Sequence, residues 1–227
     1  MLRDKVLLIL IALTAAAMVV SLYLVFVYVP TERTMGIVQR IFYFHVPSAW
    51  VGFLAFLVAF IAGIAYLMRR QWRWDAIGTV SVEIGIVFST IALVTGSLWA
   101  RPTWNTWWTW DPRLTTTLIL WIYYVSVLLL RQMVESEERQ ARFSAVLSIV
   151  GFINVPIVFL TIRLWRTIHP VLFTSEGFSL EPSMLLTMLV SLLTFTLLYL
   201  CLLWVRVRQA TLHAEIGRLR DRLHSAS

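Results

Sequence analysis

Cysteine and charge are both scarce in this chain of 227 residues. Its single cysteine, Cys201, lies within an apolar run, which excludes a disulfide framework, a CxxC redox pair and a CxxCH haem-attachment site. Only 14% of the residues are charged and 59% are hydrophobic, whereas roughly 25% of the residues in a soluble domain are charged. The composition therefore excludes a c-type cytochrome and indicates an integral membrane protein.

Six apolar runs punctuate the sequence, and about 20 apolar residues suffice for a helix to cross a bilayer. They predict an all-α integral membrane protein, a bundle of six transmembrane helices in a single membrane domain covering residues 1–227. The predicted spans are 6–29, 47–68, 76–98, 115–130, 143–162 and 183–205. The other residues form short connections and tails, so no separate soluble domain fits. Any chemistry must lie on helix ends and short loops.

The positive charges are unevenly distributed between the two sides. If the N-terminus is inside, roughly two thirds of the 19 Lys and Arg residues fall in inner segments, and the positive-inside rule then predicts that both termini are cytoplasmic. The net charge of +7 follows from this topology and does not call for a nucleic-acid partner. Residues 206–227 are predicted to form a basic amphipathic cytoplasmic tail that contacts the lipid bilayer or a cytoplasmic partner.

Tryptophan is concentrated in the predicted outer loop between helices 3 and 4, here called the Trp-rich segment (residues 99–113). Five of the chain's 11 tryptophans lie there. Pro102 and Pro112 are expected to stop either helix from running through it. The density of rings favours an aromatic shelf for a flat apolar ligand, with a protein-docking surface and an ordinary aromatic belt as alternatives. The shelf would comprise Trp104, Trp107 and Trp108 in a helical turn, or Trp104, Trp108 and Trp110 in an extended segment.

Two histidines are predicted on the same outer face as this segment. His45 precedes Pro47, which is well placed as a first-turn residue of the second helix, and His169 precedes Pro170. Imidazoles on opposite faces of a porphyrin can each give iron a nitrogen ligand, which makes haem the best candidate for the flat ligand. A zinc site would need further ligands at fixed spacing, and the sequence contains neither HxxxH nor HExxH.

These features resemble the WWD-motif haem-handling proteins, and in particular the haem exporter protein C (CcmC) family of cytochrome c maturation. The resemblance covers nearly the whole chain and includes its six-helix size. It is carried by Trp104-Asn-Thr-Trp107-Trp108-Thr-Trp110-Asp111, Phe44-His45-Val46-Pro47-Ser48 and Asn154-Val155-Pro156-Ile157 to Ile168-His169-Pro170.

The resemblance implies a function, a location and partners. It implies that the chain is not an enzyme: it holds haem b non-covalently at the periplasmic surface of the bacterial inner membrane and delivers it to a periplasmic haem chaperone. A small single-helix accessory subunit and ABC transporter subunits are the other implied partners. By position, His45 and His169 would be axial ligands of the iron. A platform would be formed by Trp104, Trp107, Trp108, Trp110 and Asp111, and propionates would pair with Arg113, Arg163 or Arg166.

One residue departs from the family pattern. The family commonly has glycine after the first motif tryptophan, whereas this chain has Asn105. Asparagine tolerates the left-handed backbone better than most residues, so the turn is expected to survive.

Two other functions remain open. A b-type haem subunit that transfers electrons would also use two histidines, although such histidines usually lie within helices, whereas His45 and His169 adjoin proline-marked helix ends. An ion-coupled transporter would be built around Glu83, the one acid well inside a span. A structural role for Glu83, bonded to a neighbouring helix or protonated, is equally open. The third span also carries Ser81, Ser89, Thr90 and Thr95, which predicts that it faces the bundle interior.

Overall fold

A computed structural model describes residues 2–164, 173–174, 177–178 and 180–226. Within these residues the regular secondary structure is helical apart from two short strands that pair antiparallel, β1 (Phe173–Thr174) and β2 (Gly177–Phe178). The α-helices are α1 (Leu2–Tyr23), α2 (Phe42–Arg69), α3 (Trp72–Trp104), α4 (Pro112–Met133), α5 (Glu137–Phe152), α6 (Asn154–Leu164) and α7 (Pro182–Ala226). A π-helical turn at Leu24–Tyr28 extends α1, and a 3₁₀ turn at Ile37–Ile41 leads into α2.

Six helical segments in the described part of the chain are long and apolar enough to cross a membrane, which confirms the predicted all-α, six-span architecture. These segments are Asp4–Tyr28, Ile37–Arg69, Trp72–Trp104, Pro112–Met133, Glu137–Thr161 and Pro182–Gly217. The fifth is divided into α5 and α6 at Ile153. The sequence explains the break, because Pro156 has no N–H to donate to the carbonyl of Phe152 one turn earlier.

The centre of the bundle is the pair α2 and α3, which pack together along most of their length. Close contact depends on glycine: a Cβ added to Gly52 would lie 2.7 Å from the Ser89 hydroxyl, and one added to Gly85 would lie 2.6 Å from the Phe56 ring. In lipid, such close approach is a main source of helix association. The third helix accordingly buries Ser81 and Ser89, as predicted for an interior helix, although Thr90 is exposed.

Both termini lie at one end of the bundle, and the Trp-rich segment lies at the other. The guanidinium of Arg208 on α7 is 2.6 Å from the carboxylate of Asp4 on α1, so the start of the first helix lies beside α7 just after the predicted last span. Helix α7 continues without interruption from the last span through Ala226, so the predicted tail is an extension of that helix. Its apolar residues Leu212, Ile216, Leu219 and Leu223 are exposed.

Glu83 is paired with a cation of another helix. Its carboxylate lies 2.7 Å from the guanidinium of Arg206 on α7. Charges within spanning segments are costly unless they are paired, so this contact fits the structural role that the sequence left open. An ion-coupled transporter based on Glu83 receives no support from the geometry.

A second ion pair joins three helices near the end that carries the termini. Arg131 on α4 donates two hydrogen bonds to Asp75 on α3, at 2.7 and 2.6 Å, and a third to the hydroxyl of Ser144 on α5, at 3.0 Å. The side chain of Asp75 is 2% exposed and that of Arg131 is 13% exposed. The arrangement fixes the positions of α3, α4 and α5 relative to one another.

Candidate functional site

Helix α3 extends further into the Trp-rich segment than the sequence predicts. It continues through Pro102 and ends at Trp104, so the expectation that Pro102 would stop it is wrong. The proline is tolerated because the helix ends two residues later, and only the carbonyl of Leu98 loses its donor. The outer part of the segment, rather than all of it, is therefore non-helical.

The helix ends in a left-handed turn at Asn105. This residue has φ 55° and ψ 26°, so the expectation that asparagine would keep the turn is confirmed. Arg101 closes the turn by donating to the Asn105 carbonyl at 2.9 Å and to its side-chain oxygen. The guanidinium of Arg101 also lies 6.0 Å from the centre of the Trp107 ring, which is a cation–π contact. Arg101 thus stabilises the turn.

Asp111 and Pro112 start the next helix. Asp111 is the N-cap of α4, and its carboxylate accepts the backbone N–H of Arg113 at 2.9 Å. Pro112 occupies the first helical position, where its missing N–H costs nothing. Asp111 is buried, so its established contact is with the backbone of α4. The carboxylate of the WWD-like motif therefore fixes where the segment joins the helix.

The tryptophans do not form the single flat shelf that the sequence predicts. Trp104 turns inward and lies 6.0 Å from the buried Trp99. Trp108 and Trp110 meet edge to face at 5.9 Å and 82°. Trp107 and Trp110 are the outermost rings, 57% and 75% exposed. Trp99 and Trp104 therefore form an inner pair that packs against the bundle, whereas Trp107 and Trp110 are open to a ligand.

His45 lies inside a helix, which corrects its predicted position. The predicted second span begins at Pro47, which leaves His45 in the preceding connection. The observed helix α2 begins at Phe42 and contains both residues. The earlier start is stabilised by burial of Phe42 and Tyr43, whose rings pack edge to face at 5.4 Å. His45 is therefore held by a helix, whereas Trp107, Trp108 and Trp110 lie in the non-helical part of the Trp-rich segment.

The imidazole of His45 is anchored to α3. Its Nδ1 lies 3.0 Å from the carbonyl oxygen of Ala92 and 3.1 Å from the hydroxyl of Thr95. The ring also lies 6.2 Å from the centre of the Trp99 ring. Among the described residues, Ala92 and Thr95 are the only hydrogen-bonding partners of the His45 ring, and both contact its Nδ1.

A narrow cleft joins His45 to the Trp-rich segment. Its lining consists of His45, Gly96, Ser97, Trp99, Ala100, Trp104, Trp107, Trp108 and Leu114. It has room for about one water molecule, so a porphyrin does not fit without outward movement of the tryptophans. The indole N–H groups of Trp99 and Trp108 are buried and have no hydrogen-bond partner within the described part of the chain. The cleft therefore contains two uncommitted donors and one anchored imidazole.

Arg113 is the one predicted propionate partner whose side chain the structure describes. It follows Pro112 at the start of α4, is partly buried, and is close enough for its charge to act on His45. His169 and Arg166 lie outside the described residues, as does the side chain of Arg163. The geometry therefore groups His45, Arg113 and the tryptophans, and it does not test the other three.

The segment before α2 is also ordered by its own contacts. The carboxylate of Glu32 accepts the backbone N–H groups of Met35 and Thr34, the latter at 2.8 Å. The hydrogen bond from the Met35 N–H is the main reason why the pKa of the Glu32 carboxyl lies below its usual value. Gly36 closes the turn with a φ of 61°, which favours glycine. This turn fixes where the chain enters α2 and therefore where the helix places His45.

Three contacts of the His45 ring could not be predicted from the sequence. They are made by Trp99, Ala92 and Gly96. Ala92 contributes only its carbonyl, which no sequence pattern marks. A Cβ added to Gly96 would lie 3.0 Å from Cε1 of His45, so that glycine leaves room for the imidazole. The available signal was the spacing of Ala92, Thr95, Gly96 and Trp99, which places them on one helical face.

Six helices long and apolar enough to cross a membrane, with an anchored histidine beside a tryptophan-rich turn, define a multi-pass membrane protein with a candidate site at one end of the bundle. The sequence profile of one family, heme exporter protein C, matches residues 1–222. The chain belongs to this family. Membership gives it a role in haem handling for cytochrome c maturation, and it is not an enzyme.

Individual relatives agree with this assignment. A heme exporter protein C from Bradyrhizobium diazoefficiens is 36% identical over 193 residues, which cover 84% of this chain and 73% of the relative. One from Escherichia coli K12 is 35% identical over 196 residues, covering 85% and 78%. The heme exporter protein C of Paracoccus denitrificans is 28% identical over 203 residues, covering 87% and 83%.

Proposed function

We propose that the chain binds haem b non-covalently at the Trp-rich end of the bundle and delivers it to a periplasmic haem chaperone. This end faces the periplasm of a bacterium, and the bilayer around it is the inner membrane. The single observation that carries the proposal is the placement of His45, which lines a cleft together with tryptophans and has only its Nδ1 nitrogen hydrogen-bonded. The uneven distribution of positive charge supports the orientation.

His45 is suited to bind iron through Nε2. Its Nδ1 is already bonded to Ala92 and Thr95, so Nε2 is the nitrogen available to a metal. Metal-binding histidines commonly have this arrangement, in which the second nitrogen donates to a carbonyl. His169 supplies the other axial ligand, since it belongs to the connection between α6 and α7, which joins the bundle at this same end.

The tryptophans and Arg113 provide the remaining contacts. Trp107 and Trp110 are exposed and cover the faces or edges of the porphyrin, while Trp104 and Trp108 support them from inside. Arg113 pairs with a propionate beside His45. Asp111 acts by fixing the start of α4. The site thus combines one helix-borne ligand with a turn that is free to move outward.

Replacing both Trp107 and Trp110 with alanine is expected to weaken haem affinity about 5- to 150-fold. Each ring contributes roughly 0.5 to 1.5 kcal/mol of stacking, and tenfold in affinity corresponds to about 1.4 kcal/mol. Haem titration of the detergent-purified protein measures the change. Because both rings are exposed, the melting temperature should stay near that of the wild type. Trp204→Ala, at the opposite end of the bundle, is the matched control; equal losses in the two proteins would remove the platform role.

Delivery distinguishes this function from that of an electron-transfer subunit. The position of His45 within α2 favours the latter, because b-type haems usually lie between helix-borne histidines. The test is to load the protein with haem and mix it with an excess of apomyoglobin, a soluble haem acceptor. A haem-delivering protein releases its haem to the acceptor. Haem that is reduced and reoxidised repeatedly but stays on the membrane protein would support the electron-transfer alternative.

A further inference from the structure

The hydrogen bonds at Nδ1 of His45 determine which nitrogen carries the proton. The carbonyl of Ala92, 3.0 Å away, has no proton to donate, so Nδ1 must donate to it. The hydroxyl of Thr95 is already committed as a donor, at 2.6 Å to the carbonyl of Ile91, and its oxygen is free to accept from the same N–H at 3.1 Å. Both contacts therefore favour a proton on Nδ1 and leave the lone pair on Nε2.

The same turn of α3 also sets the position of the ring. A Cβ on residue 96 would approach Cε1 of His45 to 3.0 Å and its Nδ1 to 3.5 Å, so a side chain at this position would crowd the imidazole and shift it by a few tenths of an ångström. The centre of the imidazole ring also lies 6.2 Å from that of the Trp99 ring, which is on α3 as well. Helix α3 thus supplies both hydrogen-bonding partners of the ring and two of its neighbours.

We propose that Thr95 is a positioning residue for haem ligation: together with the Ala92 carbonyl, it fixes the Nδ1–H tautomer of His45 and makes Nε2 a stronger iron ligand. This inference rests on the proposed haem function of the site. A hydrogen bond from the far nitrogen increases the basicity of an imidazole ligand, which stabilises ferric over ferrous iron. Thr95 has no contact with the haem in this scheme and acts through His45 alone.

Thr95→Val tests the inference because valine keeps the shape of threonine and removes the acceptor. We expect haem affinity to fall by up to about tenfold. This is the low end of the range of about 10- to 100-fold that is usual for loss of a partner that orients a metal ligand. We also expect a higher haem reduction potential and, in a His169→Ala background where His45 is the one axial ligand of the ferrous haem, a lower iron–histidine stretching frequency in resonance Raman spectra. Thr95→Ser, which keeps the hydroxyl, should restore all three values towards those of the wild type.

The matched control is Thr90→Val on the same helix. The Thr90 hydroxyl also bonds to a carbonyl one turn back, at 2.8 Å to Ile86, but is exposed and has no contact with His45. Comparing melting temperatures identifies any variant that merely loses stability. If that comparison excludes Thr95→Val, Gly96→Ala is the second test, since it displaces the ring and should weaken haem binding in the same direction.

The outcomes separate this inference from the function on which it rests. A wild type that binds no haem, or whose spectrum is unaffected by His45→Ala, would overturn the proposed function. A wild type ligated by His45, with a potential and stretching frequency that Thr95→Val leaves unchanged, would overturn only the role of Thr95. Equal shifts in Thr95→Val and Thr95→Ser would also overturn it, because the hydroxyl would then be irrelevant.

Discussion

Replacing His45 with alanine is expected to weaken haem affinity by about 100-fold or more. At metal sites, loss of a group that merely bonds to a ligand costs about 10- to 100-fold, so loss of the ligand itself should reach or exceed that range. The optical spectrum of any residual haem should change, because one axial nitrogen is gone. Haem titration of detergent-purified protein, followed by absorbance in the oxidised and reduced forms, measures both effects.

Added imidazole provides a sharp control for this variant. The cleft beside Gly96 and Trp99 is shaped around the ring of His45, so free imidazole should occupy the vacated space and recover part of the low-spin spectrum. His213→Ala, an exposed histidine of α7 at the other end of the bundle, should behave as the wild type. Unchanged affinity in His45→Ala, or an equal loss in His213→Ala, would eliminate His45 as an iron ligand.

Replacing Asp75 with asparagine is expected to lower the free energy of unfolding by about 3 to 5 kcal/mol, the usual cost of removing one partner of a buried ion pair. The guanidinium of Arg131 would then be left among α3, α4 and α5 without its countercharge. Unfolding in mixed micelles, followed by circular dichroism as denaturing detergent increases, gives the change. The double variant Asp75→Asn/Arg131→Met should lose less, since no uncompensated charge remains.

The control is the exposed pair of Glu138 and Arg142. Their charged atoms are 3.9 Å apart one turn along α5, and both side chains are more than half exposed. Arg142→Ala should therefore change the free energy of unfolding by less than about 1 kcal/mol. If Asp75→Asn cost no more than Arg142→Ala, the three-helix contact would not stabilise the bundle. Haem affinity in folded Asp75→Asn protein should be retained, because the pair lies at the end remote from His45.

The number and type of the spanning helices could be predicted because lipid imposes a simple rule on sequence. A spanning helix must satisfy its own backbone hydrogen bonds and present apolar side chains, so long apolar runs identify it. Helix ends obey weaker rules. The sequence predicts that α3 ends before Pro102 and that α2 begins at Pro47. Tertiary packing extends both helices beyond these residues. Local signals at the ends were overridden by contacts distant in sequence.

The residue types of the site could be predicted, but their arrangement could not. The density of tryptophan and the position of His45 both point to the same end of the bundle. The perpendicular rings of Trp108 and Trp110 depend on the turn at Asn105, and periodicity does not describe a turn. The anchor on Ala92 is a backbone carbonyl, which has no sequence signature. Interhelical contacts of this kind require three-dimensional information.

Glu83 illustrates the same limit for charged residues. Its position inside a span marked it for attention, and the sequence could not choose between an ion-coupling and a structural role. The partner Arg206 lies 123 residues away and at the predicted end of the last span. Only the packing of α7 against α3 brings the two together.

The most direct test of the proposed function is the spin and ligation state of haem on the purified wild-type protein, measured by absorption and electron paramagnetic resonance spectroscopy and compared with His169→Ala. Two nitrogen ligands should give low-spin, six-coordinate, non-covalent haem in the wild type, and His169→Ala should shift it towards a high-spin form ligated by His45. A wild type that stays colourless after haem is supplied, or a spectrum that neither His169→Ala nor His45→Ala alters, would contradict haem ligation at the Trp-rich end of the bundle.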